Sequence, residues 1–507
     1  MDSNAASPGG ATGPAPQAPD SDRPWNIETN GINPIAETER HGKPIELFWI
    51  WCAANIGILD ITYGAFLVTF YGLDLVQAII VMIAGTVLSF LLVGFISLAG
   101  KRANAPTLVM SRASFGVVGN ALPTLISYVS FLGWEILLTA LAVLAAQSIM
   151  LRLGAPAGDP TVAIAFVIVA GVTITLALLG HATITRVQVW FTWAFAVLTV
   201  VFVILEAKHV DLHAVTSLHA GKFVAGVIGG TTVIMAGLGI GWVNAAGDYS
   251  RYLPRRVRSA SVVGWTTFGA SVAPVLLGIF GIFLAASNPN IASAANPIGL
   301  FADTLPVWFA VPYLLTAVGG LIAATVLDVY SGGLNLLTLG LRTERYKTVA
   351  IDACVMIAGN IYVLFIAKTF FAPFEGFLVT LGVLLAAWSG IFLADMALLR
   401  WKAGYDEARL YHVDPLGRGA YNWRGLTALI IACAAGLGTV TSTSPVFSWV
   451  GYLLGLLGGR TGAVGGSSIG VIIALLLGGL VYAVLVVATG QRSAARANPQ
   501  PALPAAS

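Results

Sequence analysis

Three acidic side chains stand out within the long apolar stretches of this 507-residue sequence, where a charge is costly: Asp60, Glu135 and Asp328. Ionisable residues in such surroundings usually serve a function. A buried carboxyl group can bind a proton from one side of a membrane and release it to the other as its access to water changes. The acids therefore predict proton-coupled transport, in which Asp328 either carries the proton or binds the substrate. The alternative is that they only hydrogen-bond neighbouring helices to one another.

Two tryptophans are placed where they could bind a flat ligand. Trp134 directly precedes Glu135, and Trp242 follows a glycine-rich run. An indole ring can stack on a heterocycle while a neighbouring carboxylate accepts hydrogen bonds from its N–H groups. The Trp134–Glu135 pair thus predicts a site for a small polar heterocycle, although tryptophans inside a helical bundle also serve as packing residues.

The elements that must position these residues are membrane-spanning helices. The composition is 57% hydrophobic and 10% charged, against about 25% charged in soluble proteins, which excludes a soluble globular protein. A spanning helix needs about 20 apolar residues, and twelve such stretches are predicted. They cover residues 44–71, 76–99, 121–150, 161–180, 187–206, 223–247, 261–286, 306–339, 348–367, 372–399, 425–443 and 467–489. The glycine-rich segment 444–466 is left open as a partial or interfacial element.

The basic residues predict the orientation in the membrane. Lys and Arg concentrate before the first span and after every even-numbered span, and cytoplasmic segments are rich in these residues. Both termini are therefore expected in the cytoplasm of a multi-pass protein of a bacterial inner membrane. Residues 1–43 contain no apolar signal sequence. They are predicted to be a cytoplasmic tail whose first part is disordered, and 490–507 a second, disordered tail.

Two of the spans have interrupted helical patterns. Span 1 contains Asn55 and Gly57, and span 6 contains Gly237, Gly239 and Gly241. Irregular backbone at membrane depth is tolerated where it is buried or lines a cavity. The two interruptions therefore predict substrate contacts from the backbone of Asn55–Gly57 and Gly239–Gly241. The alternative is that the glycines serve helix packing.

The spacing of the interruptions also predicts the architecture. Interrupted spans at corresponding places in two halves are typical of inverted-repeat transporters. Because the two lie five spans apart, the transporter domain at 44–489 is predicted to contain two five-helix repeats, at 44–206 and 223–399, and two additional helices at 425–489. The predicted fold class is thus an all-α membrane protein.

The sequence provides no indication of an enzyme. It contains no phosphate-binding loop, zinc-protease motif or serine-nucleophile motif, so no enzymatic activity, cofactor or metal is predicted. The net charge of +3 gives no reason to expect a nucleic-acid partner. The expected partners are a small-molecule substrate and the lipid bilayer, and no protein partner is inferred.

Several long motifs resemble the purine–cytosine permease family of nucleobase–cation symporters. They are ETNGINPIAETERHGKPIELFWIWCAAN leading into span 1, GKRANAPTLVMSRASFGVVGNALP after span 2, LGW in span 3, GLGIGWVNAAGDYSRYLPR through span 6 and LDVYSGGLNLL in span 8. The resemblance implies a twelve-helix, LeuT-like inverted-repeat fold with the substrate between spans 1, 3, 6 and 8. It also implies a nucleobase-like substrate, with Trp134 as the stacking aromatic and Gly239 at the position of a common family aromatic.

The sequence departs from the family pattern at positions that bear on coupling and specificity. The span-8 hydroxyls that hold sodium in sodium-coupled members correspond to Ala323 and Ala324, beside Thr325. Sodium needs oxygen ligands, so H⁺ rather than Na⁺ is the expected coupling ion. The base-binding asparagines of fungal members correspond to Leu138 and to Ala324 or Thr325, which keeps Thr325 among the expected substrate contacts.

The predicted function is proton-coupled import of a nucleobase, such as cytosine or a purine, or of a similar small heterocycle by alternating access. Two alternatives stay open: a sodium-coupled symporter of a hydantoin, allantoin or vitamin-like ring, and an uncoupled facilitator or channel.

Overall fold

A computed structural model describes residues 23–291, 297–367, 371–413, 417, 419–442 and 444–491. The predicted disorder of residues 1–22 and 492–507 lies outside these residues. Every regular element among the described residues is helical, which confirms the predicted fold class.

The helices of the first half begin with a pair, α1 (Ile45–Ala54) and α2 (Ile58–Thr69), which are bent by 68° at the break between them. The chain continues through α3 (Leu75–Ala103), α4 (Thr107–Phe115), α5 (Ala121–Arg152), α6 (Asp159–Leu179), α7 (His181–Glu206) and α8 (Leu212–Thr216).

The helices of the second half begin with a π-helical turn, Phe223–Ile228, that leads into α9 (Gly229–Gly237). They continue with α10 (Gly239–Trp242), α11 (Ser259–Ser287), α12 (Pro297–Thr304), α13 (Val307–Thr338), α14 (Arg345–Ile361), α15 (Phe371–Asp395), α16 (Trp401–Ala403), α17 (Glu407–Tyr411), α18 (Trp423–Leu437), α19 (Ala463–Ser467) and α20 (Gly470–Ala488).

Ten helices of the described residues are long and apolar enough to cross a membrane, and the bent pair α1–α2 makes an eleventh span. The eleventh predicted stretch forms α18, an apolar helix of only 15 residues. The count of twelve and the inverted repeat therefore stay predictions. The segment 444–466 contains short 3₁₀ turns at Pro445–Phe447 and Leu454–Leu457 and the beginning of α19 instead of a long helix.

Glycines let two of the helices pack backbone to backbone. A Cβ atom added at Gly64 of α2 would overlap the carbonyl oxygen of Gly278 on α11, and one added at Gly281 would overlap the carbonyl oxygen of Ile61. Small residues allow this close approach in membranes, where helix association depends on packing and not on exclusion from water. This contact fixes the position of α2 and hence one side of the break in span 1.

Replacing Gly64 by Val is expected to lower the apparent melting temperature of the purified protein, because the new side chain must displace the backbone of α11. Gly171→Val on α6 is the matched control, since a Cβ atom there meets nothing within 4 Å. Fluorescence-detected gel filtration of heated samples compares them. Equal melting temperatures for both variants would refute the α2–α11 contact.

The N-terminal segment, residues 24–43, packs on one end of the helices. Its Glu28 is 1% exposed and accepts hydrogen bonds from the guanidinium of Arg251 at 3.1 Å, the hydroxyl of Tyr330 on α13 at 3.1 Å and the backbone N–H of His181 at 2.8 Å. The Nε of Arg345, at the start of α14, lies 3.6 Å from the same carboxylate. One side chain of the predicted tail thus connects elements from both halves of the sequence.

Candidate functional site

The break in span 1 is formed by local hydrogen bonds. The α1 helix ends before Asn55, whose side-chain amide donates to the carbonyl of Trp51 at 2.8 Å. Gly57 is extended, and its N–H donates to the carboxylate of Asp60 at 3.3 Å. Asp60 therefore caps α2 in the manner of a helix N-terminal acid. The predicted interruption is present, and the residues that cause it are those expected from the sequence.

The break in span 6 lies at Leu238, whose dihedral angles (φ −107°, ψ −105°) are not helical. Tyr63 of α2 donates a hydrogen bond from its hydroxyl to the carbonyl of Gly237 at 3.2 Å, so the two broken spans contact each other. Gly239 packs against the backbone of α3, where its N–H donates to the hydroxyl of Ser89 at 3.2 Å. This glycine therefore serves helix packing.

The two breaks face one cavity, which encloses about 610 Å³ of unoccupied space, part of it open to solvent. The predicted site residues that line it are Asn55, Gly57, Asp60, Trp134, Gly241, Trp242 and Asp328. The sequence analysis did not identify Tyr63 or Gly320, which line it as well.

The cavity has an aromatic wall. The indole of Trp134 lies over Gly241, where an added Cβ atom would be 3.5 Å from the ring nitrogen. Trp242 packs edge-on against Trp51, with ring centroids 5.6 Å apart. The absence of a side chain at Gly241 lets Trp134 approach the broken span closely, so that its ring forms part of the cavity wall.

Asp60 and Asp328 are the two acids on the cavity wall, and Asp328 of α13 is 1% exposed. Its Oδ2 has no hydrogen-bond partner among the described residues. A buried acceptor without a donor is costly, and the N–H of a bound heterocycle could supply one. Asp328 is thus the predicted residue best placed to contact a ligand with a charge-assisted hydrogen bond.

Glu135 and Thr325 were predicted at the site but do not line this cavity. Glu135 is completely buried, and its carboxyl faces Asp352 of α14, with Tyr128 beside them. The hydroxyl of Thr325 donates to the carbonyl of Leu321 at 2.8 Å within α13. Asp352 was missed, although it lies within the predicted span 348–367 and the same criterion of an acid in an apolar stretch would have found it.

The region where span 8 would hold sodium in sodium-coupled members surrounds Ala323. Ala323 lies in an apolar cluster that includes Ala53 and Phe195, and its carbonyl accepts a hydrogen bond from the amide of Gln188 on α7 at 2.9 Å. The carbonyl of Ile56 lies close to α13, 2.6 Å from where a Cβ of Gly320 would be.

Comparison with known proteins resolves the family. The model of a family described as permeases for cytosine/purines, uracil, thiamine and allantoin matches residues 34–465. The chain belongs to this cytosine/purine permease family. The resemblance inferred from the sequence motifs is thereby confirmed, and the family's members are transporters and not enzymes.

Two curated members of the permease family illustrate the relationship. The putative purine-cytosine permease YxlA of Bacillus subtilis is 24% identical over 420 residues, which cover 80% of this chain and 86% of the relative. The purine-cytosine permease FCY2 of Saccharomyces cerevisiae is 25% identical over 483 residues, covering 87% of this chain and 84% of the relative. The permease family thus extends over nearly the whole chain.

Solved structures agree with the fold of this permease. A closed conformation of Mhp1, a nucleobase-cation-symport-1 family transporter with bromovinylhydantoin bound, matches with a TM-score of 0.70 at 19% identity, covering 90% of this chain and 96% of that chain. Inward-facing Mhp1 matches with a TM-score of 0.65 at 18% identity, covering 95% and 100%. The permease is therefore a multi-pass membrane transporter with the Mhp1 fold.

Proposed function

We propose that this permease imports a nucleobase or a similar small heterocycle together with protons, by alternating access. The observation that carries the proposal is the single cavity in which two broken spans, the indole of Trp134 and the unpartnered carboxyl oxygen of Asp328 meet. The similarity to YxlA, a putative purine-cytosine permease, and to the purine-cytosine permease FCY2 supports a nucleobase as the substrate class.

The chemistry of the cavity suits such a ligand. Nucleobases are flat, so they can stack on Trp134, and they carry ring or exocyclic N–H groups that can donate to Asp328. Asn55, at the break in span 1, adds a side-chain amide to the cavity wall. Leu138 and Ala324, which also line the cavity, provide apolar surface in place of further polar contacts.

Replacing Trp134 by Ala is expected to raise the KM for uptake by about tenfold, because stacking of a base on an aromatic side chain contributes about 1–3 kcal/mol. Trp134→Phe keeps a flat aromatic face and is the matched control, with an expected smaller increase. Concentration-dependent initial uptake rates measure both. An unchanged KM in the alanine variant would place the ligand elsewhere.

The surroundings of Ala323 and Ala324 support protons over sodium as the coupling ion. Hard cations need several oxygen ligands, whereas Ala323 lies in an apolar cluster and its carbonyl already accepts an N–H from Gln188. Several acids are buried among the described residues, and those expected from the sequence to bind the proton are Asp60, Glu135 and Asp328. In this proposal, Asp60 also keeps its role as the cap of α2.

The test is uptake of radiolabelled cytosine by a permease-deficient bacterial strain that expresses the chain, with unlabelled purines, uracil, hydantoins and allantoin as competitors. A protonophore is expected to abolish accumulation. Accumulation that withstands the protonophore would overturn proton coupling, and the absence of cytosine uptake would move the specificity to a competitor heterocycle.

A sodium-coupled carrier of a hydantoin-like ring is the second candidate, favoured by the structural similarity to the bromovinylhydantoin complex of Mhp1. Replacing external sodium by choline separates the two candidates, because only the sodium-coupled carrier loses accumulation. An uncoupled facilitator would never raise the internal substrate concentration above the external one.

The proposed location of the permease is a bacterial inner membrane, with both termini in the cytoplasm. Reporter fusions to either terminus can test this orientation.

A further inference from the structure

Two buried acids from different helices face each other behind the wall of the cavity. The carboxyl groups of Glu135 on α5 and Asp352 on α14 are close enough to share a hydrogen bond. Both side chains are 0% exposed. Asp352 also lies against Gly332 of α13, where an added Cβ atom would be 2.6 Å from Oδ2. The contact with Gly332 brings the Asp352 carboxyl close to α13, where Asp328 lies one helical turn before Gly332.

The surroundings of this carboxyl pair provide no compensating charge. None of its four oxygens has a well-formed hydrogen bond from any donor among the described residues. The ionisable side chain of α13 near the pair is another acid, Asp328, which interacts electrostatically with both Glu135 and Asp352. On α5 the neighbouring ionisable side chain is the half-buried Tyr128, whose hydroxyl is close enough to donate a hydrogen bond to the Asp352 carboxyl. The cation at the start of α14, Arg345, is bound to Glu28 and to carbonyl groups at the end of α6.

Two ionised carboxylates cannot face each other in such surroundings. Apart from the single hydroxyl of Tyr128 beside Asp352, their oxygens would be acceptors without donors, and the repulsion between like charges in a medium of low polarity is large. One proton held between the two groups supplies the missing donor and removes one of the two charges. This arrangement favours a bound proton at this place.

We propose that Glu135 and Asp352 form a carboxyl pair that holds the transported proton, and that Asp328 passes this proton between the substrate cavity and the pair. The inference rests on the proposed function as a proton symporter and adds Asp352 to its coupling groups. Asp328 is suited to the transfer because it lines the cavity and interacts with both acids. Neither Glu135 nor Asp352 lines the substrate cavity, so their loss should affect coupling more than binding.

The first test does not depend on transport. Infrared spectra of the purified permease, reconstituted in phosphatidylglycerol-containing vesicles near neutral pH, are expected to contain the C=O stretching band of a protonated carboxyl group. Asp352→Asn and Glu135→Gln should each remove or shift this band. Asp303→Asn is the matched control, because this aspartate is 80% exposed and pairs with Arg152 at the surface. A band that is absent in the parent, or unchanged in both pair variants, would overturn the inference.

The second test separates coupling from binding. In vesicles, Asp352→Asn is expected to keep counterflow exchange of cytosine, or of the heterocycle identified by the competition assay, but to lose accumulation driven by an imposed pH gradient. Asp352→Glu should restore part of it. Accumulation at the parental level in Asp352→Asn, or loss of exchange together with accumulation, would overturn the role of Asp352. If the parent protein does not accumulate substrate in response to the pH gradient, the proposed proton symport is wrong. The infrared result still decides whether the carboxyl pair holds a proton.

Discussion

Replacing Asp328 by Asn is expected to reduce the initial rate of substrate uptake by at least about tenfold, because a charge-assisted hydrogen bond contributes about 1.5–3 kcal/mol. The carboxyl group of Asp328 lines the cavity with an unpartnered oxygen. An amide in its place offers a weaker acceptor, presents N–H groups to a ligand that also donates, and cannot take up a proton. Both substrate binding and proton coupling should therefore be weakened.

The measurement is uptake of radiolabelled heterocycle by cells that express equal amounts of each variant. Asp303→Asn makes the same chemical change at an exposed position and should leave uptake unchanged. Asp328→Glu, which keeps the charge on a longer side chain, should retain more activity than the asparagine variant. Parental uptake by Asp328→Asn would exclude this residue from both substrate binding and proton transfer.

Replacing Glu28 by Gln is expected to cause the largest loss of stability of any single charge change in this protein. The carboxylate is buried between the guanidinium groups of Arg251 and Arg345, both themselves buried. Removing one partner of a buried ion pair typically costs about 3–5 kcal/mol, since the remaining charge is left without compensation. Glutamine fits the same space but lacks the charge, so the variant reports the electrostatic contribution.

Thermal unfolding of the purified protein, followed by gel filtration, should show an apparent melting temperature several degrees below that of the parent. Glu344→Gln is the control, because Glu344 is exposed and pairs with Lys347 one turn away; exposed pairs of this kind contribute little. A Glu28 variant as stable as the control would mean that the buried ion pairs of Glu28 make no net contribution to the stability of the protein.

The broken spans and several site residues could be predicted from the sequence because their signals are local. Asn55 and Gly57 interrupt an apolar stretch, and Asp328 is an acid within another, so each is visible without knowledge of its neighbours. The packing of Gly239 on α3, in contrast, depends on which helix lies next to it. A glycine that lines a cavity and one that fits against a neighbouring backbone look the same in a sequence.

The partners of the acids could not be predicted for the same reason. Glu135 was expected to face the ligand because it follows Trp134, but adjacent residues of a helix point about 100° apart, so only one of the two lines the cavity. Its partner Asp352 lies on a helix more than two hundred residues away. Glu28 was assigned to the cytoplasmic tail, because the two arginines that contact it lie 223 and 317 residues further along the chain.

The position of Glu28 has a consequence for the order of events during synthesis. Glu28 leaves the ribosome early, whereas Arg251 and Arg345 follow 223 and 317 residues later. At about 5–20 residues per second, the second arginine appears roughly 15–60 s after the glutamate. Until Arg251 emerges the carboxylate has neither arginine as a partner, and its ion pair with Arg345 can form only at the end of the interval. The N-terminal segment can therefore close over the helix ends only after α14 has begun to emerge, which makes its docking a late step of biogenesis.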